Sequence, residues 1–197
     1  MNKIINIAVV GLGQVGNYLL NELNTKKKEI ELKTGKKIKI VAVSARNINK
    51  KRQFKVDKKL FYKNPLDILK KHQIDILFEA IGQSDGVSKK IVETALKNGT
   101  HVVTPNKALI SKHGNDLSKL AEKNNVNLEF EASVAGGIPV LRAIKEGLAT
   151  NKISKVYGIL NGTSNYILSE MENSNKNFPM FLKKLNNLVM RNPAILN

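Results

Sequence analysis

Ile4-Ile5-Asn6-Ile7-Ala8-Val9-Val10-Gly11-Leu12-Gly13-Gln14-Val15-Gly16-Asn17-Tyr18-Leu19-Leu20-Asn21-Glu22-Leu23 is the stretch whose reading decides the fold. Ile4 to Val10 is a compact β-branched run that stops at a glycine. Asn17 to Leu23 carries its apolar residues at helical spacing. Between them lies a G-x-G-x-x-G turn, so the segment reads as strand, tight turn, helix. The three glycines meet separate physical demands. The first allows the turn, the second lets backbone approach a pyrophosphate, and the third lets helix pack on strand. The start of the helix then offers unpaired N–H groups and the positive end of its dipole to an anion. Gly11, Leu12, Gly13, Gln14, Val15 and Gly16 are therefore expected to hold a dinucleotide.

Outward from this turn the pattern alternates. Thr25 to Lys37 is lysine-rich with Gly35 inside and reads as a helix end plus a solvated loop, and Ile38 to Val43 as a second buried strand. After a basic segment from Arg46 to Lys59, a helix is expected over Pro65 to Lys71, a strand over Ile74 to Phe78, and a loop with Gly82 and Gly86. A helix Val87 to Asn98, a strand His101 to Val103, a helix Ala108 to Asn124 and a strand Val126 to Phe130 follow. Strands alternating with helices predict an α/β fold, a doubly wound, mostly parallel sheet of the Rossmann type covered on both faces. That domain is expected to span residues 1–131. Beyond it, Ile138 to Ala149 reads as a helix with a proline near its first turn. Lys155 to Leu160 reads as a strand and Tyr166 to Glu172 as a helix. These are too few elements to close a domain, so residues 132–184 read as the start of an incomplete α+β domain.

The end of the second strand bears on which dinucleotide is bound. An acidic residue there bonds the ribose hydroxyls of NAD, whereas an arginine accommodates the 2′-phosphate of NADP. The strand runs Val41-Ala42-Val43-Ser44-Ala45-Arg46, with no carboxylate and with Lys50, Lys51 and Arg52 after it. A guanidinium fork suits a phosphate. Arg46 is the candidate ligand, and the strand end favours NADP over NAD.

Composition bounds the rest. At roughly 150 residues per domain, 197 residues exclude a large multidomain machine, and 42% hydrophobic residues can build a core. Thirty-three Lys and Arg against 16 Asp and Glu give a net charge of +17, but the lysines are scattered through nearly every polar stretch. Aromatics are only 5% and no basic block is interleaved with them, so no nucleic-acid platform is expected. The absence of cysteine removes disulfides, zinc-thiolate sites and cysteine nucleophiles. The apolar run at the amino terminus is too short for a membrane span and lacks a signal-type cleavage site. A cytoplasmic protein without a membrane partner is the expectation.

Four ordered segments carry a family resemblance: the glycine turn, Thr104-Pro105-Asn106-Lys107-Ala108, Glu131-Ala132-Ser133-Val134-Ala135-Gly136-Gly137-Ile138-Pro139, and Gly158-Ile159-Leu160-Asn161-Gly162-Thr163-Ser164-Asn165-Tyr166. Together they resemble homoserine dehydrogenase, from residue 4 to about residue 184. The resemblance implies NAD(P)-linked interconversion of aspartate 4-semialdehyde and homoserine, on the path to threonine, methionine and isoleucine, by a protein that is a homodimer at full length. It implies that Lys107 lies between nicotinamide and substrate, where a cation steadies a developing alkoxide. Thr104 and Asn106 would shape that loop or meet cofactor. His101 and His113 read as a strand-end and a helix-surface residue. Glu131, Val134, Gly136 and Ile138 match positions that hold a monovalent cation such as sodium, largely through main-chain oxygens, with a glycine hinge as the competing reading. Asn161, Gly162 and Thr163 would begin the substrate-binding domain. The lack of cysteine independently disfavours aldehyde-to-acyl dehydrogenases, which need a thiolate.

The chain departs from the family near its end. Members continue into an acidic stretch and a second lysine that serves as acid and base, whereas this chain has no Asp or Glu after Glu172. Residues 185–197 read as a tail outside the family pattern. Codons for that tail, displaced by one base, permit Ala-Gln-Gln-Leu-Gly-Tyr-Ala-Glu, which is what the family places next. A frameshift in the adenine-rich codons of Lys183 and Lys184, or a truncation, is therefore expected. So is NADPH binding without turnover by this polypeptide, which makes a non-catalytic NADP(H)-binding fragment the alternative reading.

Overall fold

The computed structural model describes residues 4–158 and 162–174. Strand β1 (Ile4–Val10) runs into helix α1 (Gln14–Thr25), helix α2 (Lys27–Thr34) and strand β2 (Lys37–Ser44). A 3-10 turn (Lys58–Leu60) leads into β3 (Phe61–Tyr62), α3 (Leu66–Lys71), β4 (Ile76–Glu79), α4 (Val87–Lys97), β5 (His101–Val103), α5 (Lys107–Lys123) and β6 (Leu128–Glu129). The six strands form one sheet in the order β3-β2-β1-β4-β5-β6, and every pairing is parallel.

Strand periodicity explains why both faces are covered. Side chains alternate along a strand, and in β1 Ala8 and Val10 join one buried cluster while Ile7 and Val9 join the other. The first cluster takes Ile68 of α3, Ile91, Val92, Ala95 and Leu96 of α4, and Leu109, Leu117 and Ala121 of α5. The second takes Leu20 of α1, with Leu23 and Ile30 packed against it. The chain leaves β1 toward β2 and β3, then crosses back to β4 on the other side of β1. That reversal is the topological switch point where open α/β sheets bind ligands, outside the carboxyl ends of the strands.

Several expectations need correction. Thr25 to Lys37 is not mainly loop: α2 occupies Lys27–Thr34 and ends on Gly35 at φ 66°, in the left-handed region that favours glycine. Spacings of i,i+4 support the helix, with Lys33 2.7 Å from Glu29 and Lys27 3.9 Å from Glu31, and Ile30 packs it against the core. The strand expected over Ile74 to Phe78 forms at Ile76–Glu79, and that over Val126 to Phe130 shortens to Leu128–Glu129. The helix expected over Ile138 to Ala149 is a single turn, α7 (Val140–Arg142), followed by a π-helical turn at Ala143–Gly147. Residues 155–158 of the expected strand Lys155 to Leu160 are not in a strand, and Ile159 and Leu160 lie outside the described residues. Helix α8 (Gly162–Ser174) contains the helix expected at Tyr166 to Glu172. The chain divides after Ala143 into two compact units, the first holding the sheet and the second holding α8.

Candidate functional site: a cavity at the carboxyl end of the sheet

β1 ends at Val10, opposite Ser44 of β2 and Glu79 of β4. The next residue turns away: Gly11 N–H donates to the Ser44 carbonyl at 2.9 Å, and Ala80 N–H donates to the Val10 carbonyl at 2.7 Å. Gly11 has φ +92°, and a Cβ on it would overlap the Ala80 carbonyl. A Cβ on Gly16 would overlap the Gly11 carbonyl, so α1 packs against the turn as closely as backbone allows. Gly13 differs, since a Cβ there meets nothing within 4 Å. Only the middle glycine fronts open space, and it does so at the head of α1, where no side chain caps the helix. An anion brought there meets N–H groups without displacing a protein acceptor. Leu12 is buried in the second cluster, and Gln14 and Val15 open α1 on its exposed side.

Beside the turn is a cavity of about 430 Å³ whose lining includes Gly11, Leu12, Gly13, Arg46, Lys50 and Lys63. Lys63 follows β3 and joins the basic side from a separate segment, which residue order near Arg46 could not reveal. Among the described residues that line this cavity, none is a carboxylate. Arg52 lines it as well but spends its donors locally. Its guanidinium bonds the carbonyls of Asn47 at 2.6 Å, Lys50 at 3.0 Å, Ile48 at 3.1 Å and Leu12 at 3.4 Å. It also lies 5.3 Å from the centre of the Phe61 ring. Asn17, in the first turns of α1, bonds both backbone groups of Phe54, accepting from N–H at 3.0 Å and donating to the carbonyl at 3.1 Å. The basic segment after β2 is thus tied to the glycine turn at two points, leaving Arg46 exposed at the cavity.

The other side of the switch point has a buried polar cluster. Glu79, at the end of β4, is 0% exposed. Its carboxylate accepts from Ile81 N–H at 2.7 Å, Ser88 Oγ at 2.5 Å, Thr104 Oγ1 at 2.7 Å, and Asn106 Nδ2 at 3.3 Å to each oxygen. Asn106 is the N-cap of α5, with its Oδ1 accepting from Leu109 N–H at 3.1 Å. Lys107 is the first residue of that helix and is exposed; it does not line the cavity itself. Nearby, Asp85 bonds Lys112 at 2.7 Å and His113 at 2.9 Å. Hydrogen bonds from Lys112, Ser84 and His113 hold the Asp85 carboxyl well below the usual carboxylate range. His113 is therefore a tie from α5 to the β4–α4 loop, and His101, at the start of β5, accepts from Asn127 N–H at 3.0 Å.

Glu131 opens the single turn α6 (Glu131–Val134). Its carboxylate receives Leu141 N–H at 2.9 Å and Arg142 N–H at 2.8 Å, and its carbonyl receives Ala135 N–H at 3.0 Å. The side chain is thus committed to the head of α7, and a cation here would rest on main-chain oxygens. Glu131, Val134, Gly136 and Ile138 fall within eight consecutive residues bent by Gly137 at φ +83°. Within this run the Ile138 carbonyl also accepts, from Val140 N–H at 2.8 Å. Among the described residues no cluster of three or more acidic or histidine side chains could hold a metal. Gly162 and Thr163 open α8 in the second unit, and Asn161 lies outside the described residues.

Sequence reasoning missed Glu79, Ser88, Asn17, Arg52 and Lys63 as parts of the site. One signal was available: a carboxylate closing the apolar strand Ile76-Leu77-Phe78-Glu79 has no reason to be there unless it is bonded.

A parallel sheet of this order, a glycine turn at its switch point and a basic rim at the end of β2 define a dinucleotide-binding domain of the Rossmann type. A family model described as the NAD binding domain of homoserine dehydrogenase matches residues 11–131. A second, described as homoserine dehydrogenase, matches residues 139–193. The chain is 41% identical over 182 residues to the homoserine dehydrogenase of Neisseria gonorrhoeae, covering 92% of this chain and 41% of that protein. It is 33% identical over 186 residues to that of Bacillus subtilis, covering 94% and 43%. Among solved structures, a homoserine dehydrogenase from Thiobacillus denitrificans superposes with a TM-score of 0.78 at 39% identity, covering 94% of this chain and 43% of the other. The chain belongs to the homoserine dehydrogenase family, and it spans about two fifths of the length of the curated relatives it matches.

Proposed function

We propose that this chain is the cofactor-binding part of an enzyme that interconverts aspartate 4-semialdehyde and homoserine with NADP(H), in the cytoplasmic synthesis of threonine, methionine and isoleucine. The observation that carries the cofactor choice is the cavity beside the glycine turn, with Arg46, Lys50 and Lys63 on its rim and no carboxylate among its described lining residues. The pyrophosphate would lie against Gly13 and the head of α1, and the 2′-phosphate against Arg46. When bound, the nicotinamide supplies or accepts the hydride. Lys107, at the head of α5, would face the reacting carbonyl and favour charge on its oxygen. Asn161, Gly162 and Thr163 would hold the substrate, and the carbonyls of Glu131, Val134, Gly136 and Ile138 a monovalent cation. The whole protein would act as a homodimer. The chain spans about two fifths of the length of the curated relatives it matches, and cofactor binding is the activity expected of this part.

The test is a fluorescence titration of the purified chain with NADPH and with NADH. Tighter binding of NADPH supports the reading, and equal binding removes the role of Arg46. Homoserine-dependent NADPH formation by this chain alone would overturn the expectation of binding without turnover.

A further inference from the structure

We propose that Glu79 is a positioning residue whose buried carboxylate clamps the β4–α4 loop to the Thr104–Lys107 turn, and so sets Lys107 at the nicotinamide end of the cofactor. The inference rests on the proposed cofactor binding.

Burying a carboxylate is costly unless its oxygens are satisfied. Glu79 is 0% exposed, and the donors it meets are neutral: a backbone N–H, two hydroxyls and an amide. An apolar side chain at this position would serve the core at less cost. What the carboxylate supplies is an acceptor-only group with about four lone-pair directions, enough to gather donors from three segments. Ile81 belongs to the β4–α4 loop, Ser88 to the first turn of α4, and Thr104 and Asn106 to the turn before α5.

The bonds beyond Glu79 tie the turn before Lys107 to the β4–α4 segment. The Thr104 hydroxyl donates to Glu79 and accepts from Asn106 N–H at 3.0 Å. The Asn106 amide donates to Glu79, to Ser88 Oγ at 3.1 Å and to the Gln83 carbonyl at 2.9 Å. Its oxygen caps α5. Each rotor in the chain is used at both ends, so the backbone entering Lys107 has little freedom left. Ala80, Ile81 and Gln83 of the clamped loop, with Val87 at the head of α4, also line the cavity.

Topology says which end of the ligand this serves. Arg46 and Lys63 stand at the ends of β2 and β3, on one side of β1, whereas Glu79 and Lys107 stand at β4 and after β5, on the other. A dinucleotide lying across the switch point with its 2′-phosphate at Arg46 carries its nicotinamide to the β4–β5 side.

The experiment compares two ligands on the full 197-residue chain: NADPH, and 2′-phospho-ADP-ribose, which lacks the nicotinamide. Glu79→Gln is expected to weaken NADPH by about tenfold while leaving 2′-phospho-ADP-ribose within about twofold. Lys107→Ala should show the same split. A merely structural role would move both ligands together, and equal losses, or no loss for NADPH, would overturn the proposal. If Glu79→Gln does not fold, Ser88→Ala and Thr104→Val each remove one donor while keeping the carboxylate. They should give the same split at about threefold, and a parallel loss of both ligands overturns the proposal there too. A parent chain that binds neither ligand overturns the cofactor reading itself, and this inference with it.

Discussion

The glycine turn at the end of β1 and the loops beyond β4 are built on different principles. The turn is held by steric closeness: a Cβ on Gly11 would overlap the Ala80 carbonyl, and one on Gly16 the Gly11 carbonyl. On the β4 side the loops are held by chemistry, through one buried carboxylate and the donors around it. A steric device tolerates no added atom but needs no partner. A polar device tolerates a change of shape only if every donor still finds an acceptor. The first should fail completely and the second by degrees.

The largest effect is expected at Gly16→Ala, where the new methyl would have to displace either the turn or α1. We expect a loss of upwards of about 4 kcal/mol, seen as a collapsed thermal transition and no NADPH binding. Gly13→Ala should spare the fold, because its surroundings are open, and weaken NADPH alone; equal thermal losses for the two variants would erase the steric distinction. Next comes Glu79→Ala, which leaves the buried Ser88 and Thr104 hydroxyls without their acceptor. A loss of about 3 kcal/mol is expected in urea unfolding, and a neutral result would mean that the donors re-pair locally.

Arg46→Ala sharpens the contrast from the other side. It should lower NADPH affinity by about tenfold and leave NADH affinity and the melting temperature unchanged. The smallest effect is expected at the exposed tie between Asp85 and Lys112 with His113. The Asp85 carboxyl is held below its unfolded value, so its contribution is present above the unfolded carboxylate range and is lost as pH falls through the lower folded value. Asp85→Asn should therefore shift the urea midpoint slightly at neutral pH, and the difference should vanish in strong acid. Added salt should shrink it, because the pair is exposed.

Which features were legible follows from distance along the chain. The glycine turn spans six residues, and its meaning lies in local backbone demands, so strand, turn and helix could all be read from residues 4–23. The position of Arg46 at the cavity was legible for a similar reason, since it stands two residues after β2. Helix α2 was missed because its support, Ile30 in the core and Gly35 at φ 66°, is tertiary in one case and conformational in the other. The two-residue β3 exists through its pairing with Val43 and Ser44, which no local pattern announces. Residues 155–158 carried the opposite error, an expected strand that is not in a strand. Arg52 looked like one more cation of a basic segment, yet its donors go to four carbonyls.

By itself the sequence determined the parallel α/β architecture, the glycine turn and the place of Arg46, because hydrophobic period and glycine stereochemistry act within a few residues. Only the tertiary structure decided what holds the turn before Lys107. Glu79, Ser88, Thr104 and Asn106 lie up to 27 residues apart, and a buried carboxylate acquires its role only when folding brings distant donors within reach of its oxygens.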